Sequence, residues 1–264
     1  MNSSQITQLA IKRHDIDASH FQDTYSNKSK ILGKRASVFL LGRNLVLDEL
    51  SIILDKLPQG SKILDVGCGT AHLTNWIKEK GFEVYGIEPS TEMYNYARKN
   101  FPEIEIKQAI SSKIPYPDNY FDLIVAFEVL RYLDKDENTK TYNEFHRVLK
   151  PNGKFFVTQV NLFSSDFYFI FHNVKSLYCN IAKKTHHHCN FTTPTLQEKQ
   201  VKMAGFTNVQ TVGRFFGSIR IAYKFGTKIG NVYTGLIQKI SRRQRFEKSF
   251  FKNLCGHLIV IAKK

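Results

Sequence analysis

The feature that most constrains the fold is a junction, Ile63-Leu64-Asp65-Val66-Gly67-Cys68-Gly69-Thr70-Ala71-His72, where an apolar β-type run enters a Gly-x-Gly turn and then a helix. Gly67 and Gly69 remove Cβ atoms where a ligand must approach the main chain. The helix start near Ala71 offers unpaired N–H groups. Around this junction, Lys62 to Val66, Glu83 to Ile87, Ile104 to Gln108, Asp122 to Phe127 and Gly153 to Val160 are short runs rich in Ile, Val and Phe, separated by helix-length segments. Such alternation predicts βαβ units, hence a doubly wound α/β fold with its ligand crevice at the carboxyl ends of the strands. Ahead of the sheet, Leu40, Leu47, Leu50, Leu54 and Leu57 have helical spacing, and Pro58-Gln59-Gly60 closes the helix predicted over roughly 40–57.

Two carboxylates narrow the ligand. Asp65 stands just before Gly67, and the run Val84-Tyr85-Gly86-Ile87 ends in Glu88, close to the ~20-residue offset of an acid that binds ribose hydroxyls at the next strand tip. A nicotinamide or flavin site would want a third glycine, absent here, and Asp65 would face its pyrophosphate unfavourably. A carboxylate at that strand end suits a ligand bearing an ammonium group, such as the methionine part of S-adenosylmethionine. Another nucleotide and a purely structural loop are the alternatives.

Composition bounds the rest. The 264 residues are 42% hydrophobic and 13% aromatic, which excludes disorder and collagen and suits one large domain or two small ones. No uncharged apolar run reaches the ~18 residues of a membrane span, and the first twenty residues do not read as a secretory signal; the expected location is cytoplasmic. Cys68, Cys179, Cys189 and Cys255 lack zinc-site spacing and are expected as reduced thiols. The net charge of +15 is concentrated: residues 1–160 hold 21 basic and 20 acidic side chains, residues 161–264 hold 17 and 3, together with 16 of the 34 aromatic residues. Such a field favours anionic partners.

Four ordered segments, ILDVGCGTAHLT (63–74), YGIEPS (85–90), IPYPDNYFDLIVAFEVLRYL (114–133) and EFHRVLKPNGKFFV (144–157), resemble the class I S-adenosylmethionine-dependent methyltransferases, in particular their small-molecule and lipid-modifying group of the methyltransferase type 11 kind. The resemblance implies a Rossmann-like seven-stranded sheet of order 3-2-1-4-5-7-6 with strand 7 antiparallel, and the run 256–262 would supply that last strand. It implies three regions: an N-terminal lid and helices over 1–57, an S-adenosylmethionine-binding core over 58–160, and a basic, aromatic acceptor-side region over 161–264 that includes the last sheet strands and helical insertions. It also implies S-adenosylmethionine as donor and S-adenosylhomocysteine as product. Asp65, Gly67, Cys68 and Gly69 match the loop around the methionine moiety, and Glu88 matches the ribose-binding acid. Pro89 and Met93 would flank the adenine, and Phe127, at the end of the fourth strand run, is a further donor-site residue. Ile110 stands where relatives carry an acid for the adenine amino group, beside Ser111. Ala71 replaces a common glycine and Tyr132 a common histidine.

Methyl transfer is an in-line displacement, so the protein chiefly aligns acceptor, methyl and sulfur. A base is needed only when the acceptor must lose a proton, and Glu128, Tyr132, Gln159 and Asn161 lie at the ends of strands four and five. For Glu128, a helix-end charge or donor-side contact is the bland alternative. Tyr25, in the segment Phe21-Gln22-Asp23-Thr24-Tyr25, resembles the aromatic residue of the relatives' flexible lid, or simply packs a helix. His186-His187-His188-Cys189 offers metal-ligand chemistry, but adjacent residues rarely converge on one ion, so no metal is expected. His188 is either an acceptor-facing histidine or part of a solvated loop, with Thr193 or Thr195 capping the next helix. Asp122 and Arg147 are expected to pair structurally, and Pro151-Asn152-Gly153 to turn into the fifth strand.

Phe163, Phe167, Ile170, Val174, Leu177 and Ile181 define one helical face, either core or the wall of an apolar acceptor cavity. Residues 217–255 join Arg242, Arg243 and Arg245 to Phe246, Phe250 and Phe251, which suits an anionic membrane surface, on the inner membrane for example, as well as nucleic-acid phosphates or a solvated face. The expected acceptor is a hydrophobic small molecule or lipid, quinone-like compounds included. An RNA methyltransferase is less favoured, since neither an Asn-Pro-Pro-Tyr motif nor a Pro-Cys pair is present. A catalytically inactive binding protein of the same fold is the third reading.

Overall fold

The computed structural model describes residues 3–25, 34–182, 188–243 and 250–264. Two helices, α1 (Ser3–Tyr25) and α2 (Lys34–Leu54), precede the sheet. Then β1 (Lys62–Val66), α3 (His72–Lys78), β2 (Glu83–Ile87), α4 (Thr91–Asn100), β3 (Glu105–Lys107), β4 (Phe121–Ala126), α5 (Lys135–Val148) and β5 (Leu149–Asn161) form the parallel half. After it come α6 (Tyr168–Ile181), β6 (Phe191–Thr192), α7 (Pro194–Met203), β7 (Thr207–Arg214), α8 (Ile219–Lys224), α9 (Thr227–Arg243) and β8 (His257–Lys263). The sheet order is 3-2-1-4-5-8-7, with the two-residue β6 paired to β5 off that path. β8 runs antiparallel between β5 and β7. The anticipated topology holds, and β6 is an eighth strand too short to read from periodicity.

Strands covered on both faces carry continuous apolar runs, because neither side meets water. Alternate residues then divide between two cores. Leu64, Val66, Phe155 and Val157 pack with Tyr142 and Phe145 of α5 and Val201 of α7. Ile63, Leu123, Val125 and Phe156 pack on the other face with Leu50 and Leu54 of α2, Ile77 of α3 and Ala97 of α4. A smaller cluster of Phe215, Ile219 and Tyr223 seats α8 against Leu41 and Leu45 of α2 and Tyr233 and Ile237 of α9. The buried Arg214 of β7 ties α2 down, through Glu49 at 2.5 Å and the Leu45 carbonyl at 3.2 Å.

Caps set the helix starts as turn chemistry requires. Ser90 accepts from Met93 N, Asp134 from Glu137 N and Thr193 from Leu196 N, with Pro194 in the first turn of α7. Asp122 accepts from Lys62 N and pairs with Lys150, while Arg147 holds Glu144, Asp118 and the Ile114 and Tyr116 carbonyls. Both are structural, as expected.

Three expectations are corrected. The helix before the sheet begins at Lys34 and ends at Leu54, not 40–57. Pro151-Asn152-Gly153 lies inside β5, where Asn152 is left-handed (φ 69°) and the register with β4 shifts, so it is an irregularity within the strand rather than a turn before it. The apolar stripe of α6 is neither core nor cavity wall: Phe163, Phe167, Ile170, Val174, Leu177 and Ile181 are all exposed, and the residues that α6 buries are His172 and Cys179.

Candidate functional site

A cavity of about 910 Å³ opens along the carboxyl edge of the parallel strands, where a doubly wound sheet binds its ligand. Asp65, Gly67, Cys68, Gly69, Glu88, Pro89, Met93, Ile110, Ser111 and Phe127 all line it, so the structure brings together every donor-side residue inferred from the sequence.

The loop after β1 is built for close approach. Gly67 and Gly69 have φ of 66° and 56°, and a Cβ on Gly67 would stand 2.5 Å from Val129 Cγ2. Asp65, only 2% exposed, accepts from Thr74 Oγ1 at 2.7 Å. Burial pushes its pKa up to about 7 against that hydrogen bond, and Glu88 adds to the rise. Glu88 is pushed to about 7 as well, by burial, although it accepts from Gly69 N at 2.8 Å and Ser90 N at 2.9 Å. Two desolvated carboxylates in one cavity favour a ligand that brings a cation and hydroxyl donors. Cys68 is buried with its thiol pushed well above the ordinary value by burial, which makes it a packing residue rather than a nucleophile. Ile110 and Ser111 border the same end, and Ser111 Oγ is 2.8 Å from Thr141 Oγ1.

The far end is assembled from three neighbouring strands. Glu128, just past β4, is held at φ 60° by Thr158 of β5, whose hydroxyl oxygen accepts from Glu128 N at 2.7 Å. Its carboxylate meets Arg131 Nη1 at 2.6 Å and His257 Nδ1 at 3.2 Å. Burial alone would raise the Glu128 pKa, yet His257 and Arg131 hold it well below the usual carboxylate range. A carboxylate so paired is a poor base, and this revises its anticipated role. Arg131 also donates to Tyr168 OH at 2.9 Å and lies over the Tyr132 ring. Tyr132 lines the cavity with its phenol pushed up to about 12 by burial, and its ring meets His14 edge-on at 4.7 Å.

One face of α1 covers the cavity: Thr7, Ala10, Ile11 and His14 recur at helical spacing and line it. The helix is fixed by Ser3 Oγ donating to Asp134 and by Ser90 Oγ and Glu92 N donating to Asp15. The cover therefore includes a segment earlier than the anticipated lid. Tyr25 closes α1, but its side chain lies outside the described residues, as do His186, His187, Arg245 and Phe246 and the side chains of Arg242 and Arg243.

Other candidates fall elsewhere. Asn161 donates to the Asn253 and Cys255 carbonyls and so fastens the approach to β8, while Gln159 is buried in the sheet. Neither lines the cavity, and nor does His188, an exposed residue before β6. Sequence reasoning missed His257, Arg131, Tyr168 and His14. The Glu128–Arg131 spacing was a local signal for one of them, whereas His257 reaches Glu128 only through the β5–β8 pairing of Val160 with His257.

A glycine turn after β1, acids at the tips of β1 and β2, and a 3-2-1-4-5-8-7 sheet with one antiparallel strand define the Rossmann-like fold of S-adenosylmethionine-dependent methyltransferases. Residues 64–157 match the family model described as a methyltransferase domain. Over 94 residues it is 42% identical to a demethylmenaquinone methyltransferase of Chlorobaculum parvum, covering 35% of this chain and 38% of that protein. It is 30% identical to a ubiquinone/menaquinone biosynthesis C-methyltransferase of Neisseria meningitidis over 163 residues, covering 53% and 65%. Among solved structures, phosphoethanolamine N-methyltransferase 2 of Haemonchus contortus, in complex with phosphomonomethylethanolamine and S-adenosylhomocysteine, superposes with a TM-score of 0.60 at 17% identity. That match covers 84% of this chain and 52% of the other. The chain thus spans between about two fifths and two thirds of the length of these two curated relatives.

Proposed function

We propose that the chain binds S-adenosylmethionine and transfers its methyl group to an apolar small molecule of the quinone or lipid type. The observation that carries this reading is Asp65, a carboxylate buried at the cavity end of β1 beside two left-handed glycines. An ammonium group there would restore its charge, and Glu88 would take the ribose hydroxyls with its remaining lone pairs. Met93, Pro89 and Ile110 give the adenine an apolar slot. The bound donor supplies an electrophilic methyl group on sulfur.

The chain's own part is to exclude water and align the acceptor. The face of α1 closes the cavity, and Phe127, Val129, Leu133 and Phe215 give it apolar walls. Glu128 meets His257 at Nδ1 on the cavity wall, and His257 is the group that takes up a proton from an acceptor hydroxyl in this reading. The acceptor's electron pair forms the new bond to the methyl carbon, the sulfur–methyl bond breaks with its pair going to sulfur, and the hydroxyl proton passes to His257. Glu128 is then the positioning residue, and Arg131 keeps it ionised. The names of the quinone-pathway relatives and the apolar walls both favour a ring-bearing acceptor.

Calorimetric titration with S-adenosylmethionine tests the donor. Absence of binding would remove this reading and favour an inactive protein of the same fold. Mass spectrometry of extracts incubated with isotopically labelled donor would identify the acceptor. Label in an apolar quinone or lipid fraction is the expected result, and label in RNA would refute the small-molecule reading.

A further inference from the structure

Among the described residues the apolar stripe of α6 faces outward. Ile170, Val174, Leu177 and Ile181 follow helical spacing and are 54% to 76% exposed, while His172 and Cys179 on the opposite side are buried. Ordering so many large apolar side chains at the surface of one helix marks an interaction face. α8, joined to α6 through Lys224, and α9, which packs on α8, carry a matching chemistry. α6, α8 and α9 contain no carboxylate at all, but contribute Lys175, Lys224 and Lys228 as exposed cations, with further Lys and Arg in their sequences. Lys224 Nζ sits 4.8 Å over the ring of Phe171, which joins the cationic α8 to the apolar α6. α9 adds its own outward stripe of Ile229, Val232 and Leu236.

The face is continuous with the site. Tyr168, the first residue of α6, lines the cavity and holds Arg131, and Lys224 and Tyr223 line it from α8. An acceptor lying in a lipid layer against α6 would therefore be beside the mouth of the cavity. Among the described residues no helix is long and apolar enough to cross a membrane, so contact at this face would be interfacial.

We infer that α6, flanked by the cations of α8 and α9, is a docking surface for an anionic lipid membrane, through which an apolar acceptor reaches the cavity. The apolar stripe enters the boundary of headgroups and acyl chains, and the lysines meet lipid phosphates. The docking itself stands on the exposed α6 face and the lysines beside it; only the delivery of acceptor rests on the function proposed above.

Flotation of the full chain with vesicles of equal phosphatidylglycerol and phosphatidylcholine, against phosphatidylcholine alone, tests it. The protein should float with the anionic vesicles, less so as salt rises. Val174→Glu with Leu177→Glu, both on the exposed face and outside the cavity, should lower vesicle binding at least about tenfold, while S-adenosylmethionine titration gives the same affinity as the parent chain. Flotation undiminished in the double variant, or no flotation of the parent chain, overturns the proposal. So does a parent chain that sediments as a dimer which the variant dissociates, or that retains RNA in place of vesicles. A parent chain that floats yet binds no donor would leave docking standing and remove the functional reading, so the two fail separately.

Discussion

Replacing Asp65 by asparagine removes one desolvated charge while keeping the shape of the side chain. The folded pKa of about 7, raised by burial above the reference value of 3.8, means that the folded chain holds a proton which the unfolded chain releases. The stabilising contribution of this proton is complete below pH about 4 and is lost as the pH rises through 7. The gap between 3.8 and about 7 corresponds to a ceiling of about 4 kcal/mol. Because the amide of the Asp65→Asn variant cannot ionise, that variant should gain stability relative to the parent chain between pH 5 and pH 8.5, by about 1 to 4 kcal/mol once partial relaxation is allowed for. The same substitution should weaken S-adenosylmethionine binding at pH 8 at least about tenfold, since the ammonium loses its counter-charge. In the parent chain, donor affinity should rise with pH through 7 as Asp65 ionises. Urea unfolding of both proteins at the two pH values, with calorimetric titration alongside, measures each quantity. If the stability difference between variant and parent is the same at both pH values, Asp65 is not a strained carboxylate and the argument for a cationic ligand fails.

Gly67→Ala should cost about 1 to 3 kcal/mol in urea unfolding and abolish donor binding, since the new Cβ would meet Val129 at 2.5 Å in a left-handed conformation. Adding Val129→Ala relieves the contact but not the backbone strain, so recovery should be partial. Once an acceptor is known, His257→Gln should lower turnover by about 10² to 10⁴ at neutral pH with little change in donor affinity. Its deficit should shrink at high pH, where a hydroxylic acceptor ionises unaided; a loss independent of pH would leave His257 a structural role only. Glu49→Gln breaks the buried pair with Arg214 and should destabilise the fold by about 3 to 5 kcal/mol by urea unfolding.

The parallel sheet is legible because strands buried on both faces spell continuous apolar runs, and the donor loop because glycine and acid fall at fixed positions around β1 and β2. Glu88 can be found by counting. His257 cannot: it stands at the start of a strand whose partner, β5, lies far away in the chain, and only the pairing of Val160 with His257 brings it to Glu128. Glu128 reads from sequence as a base for the same reason, because its position after β4 is visible while the Arg131 and His257 side chains that face it are not. For α6, periodicity shows which residues share a face but carries no information on what covers that face. Such a stripe therefore reads as interior although it is exposed. Ala71 is a milder case: at φ 60° it occupies a conformation that glycine takes without penalty, which accounts for the glycine common at that place in the resembling sequences.

Threading β8 between β5 and β7 has a kinetic consequence. Every other described strand precedes β8 in the chain, yet β8 fills an interior place in the sheet, so β5 and β7 must wait with unpaired edges until residues 257–263 have been synthesised. Those edges are long-range pairings that close slowly and are prone to association in the interval. His257 arrives with the same strand, which makes completion of the sheet and completion of that end of the cavity wall a single event. On the function proposed above, a nascent chain halted before β8 would have the whole donor loop and no assembled acceptor end, and so could hold a methyl donor without the means to use it.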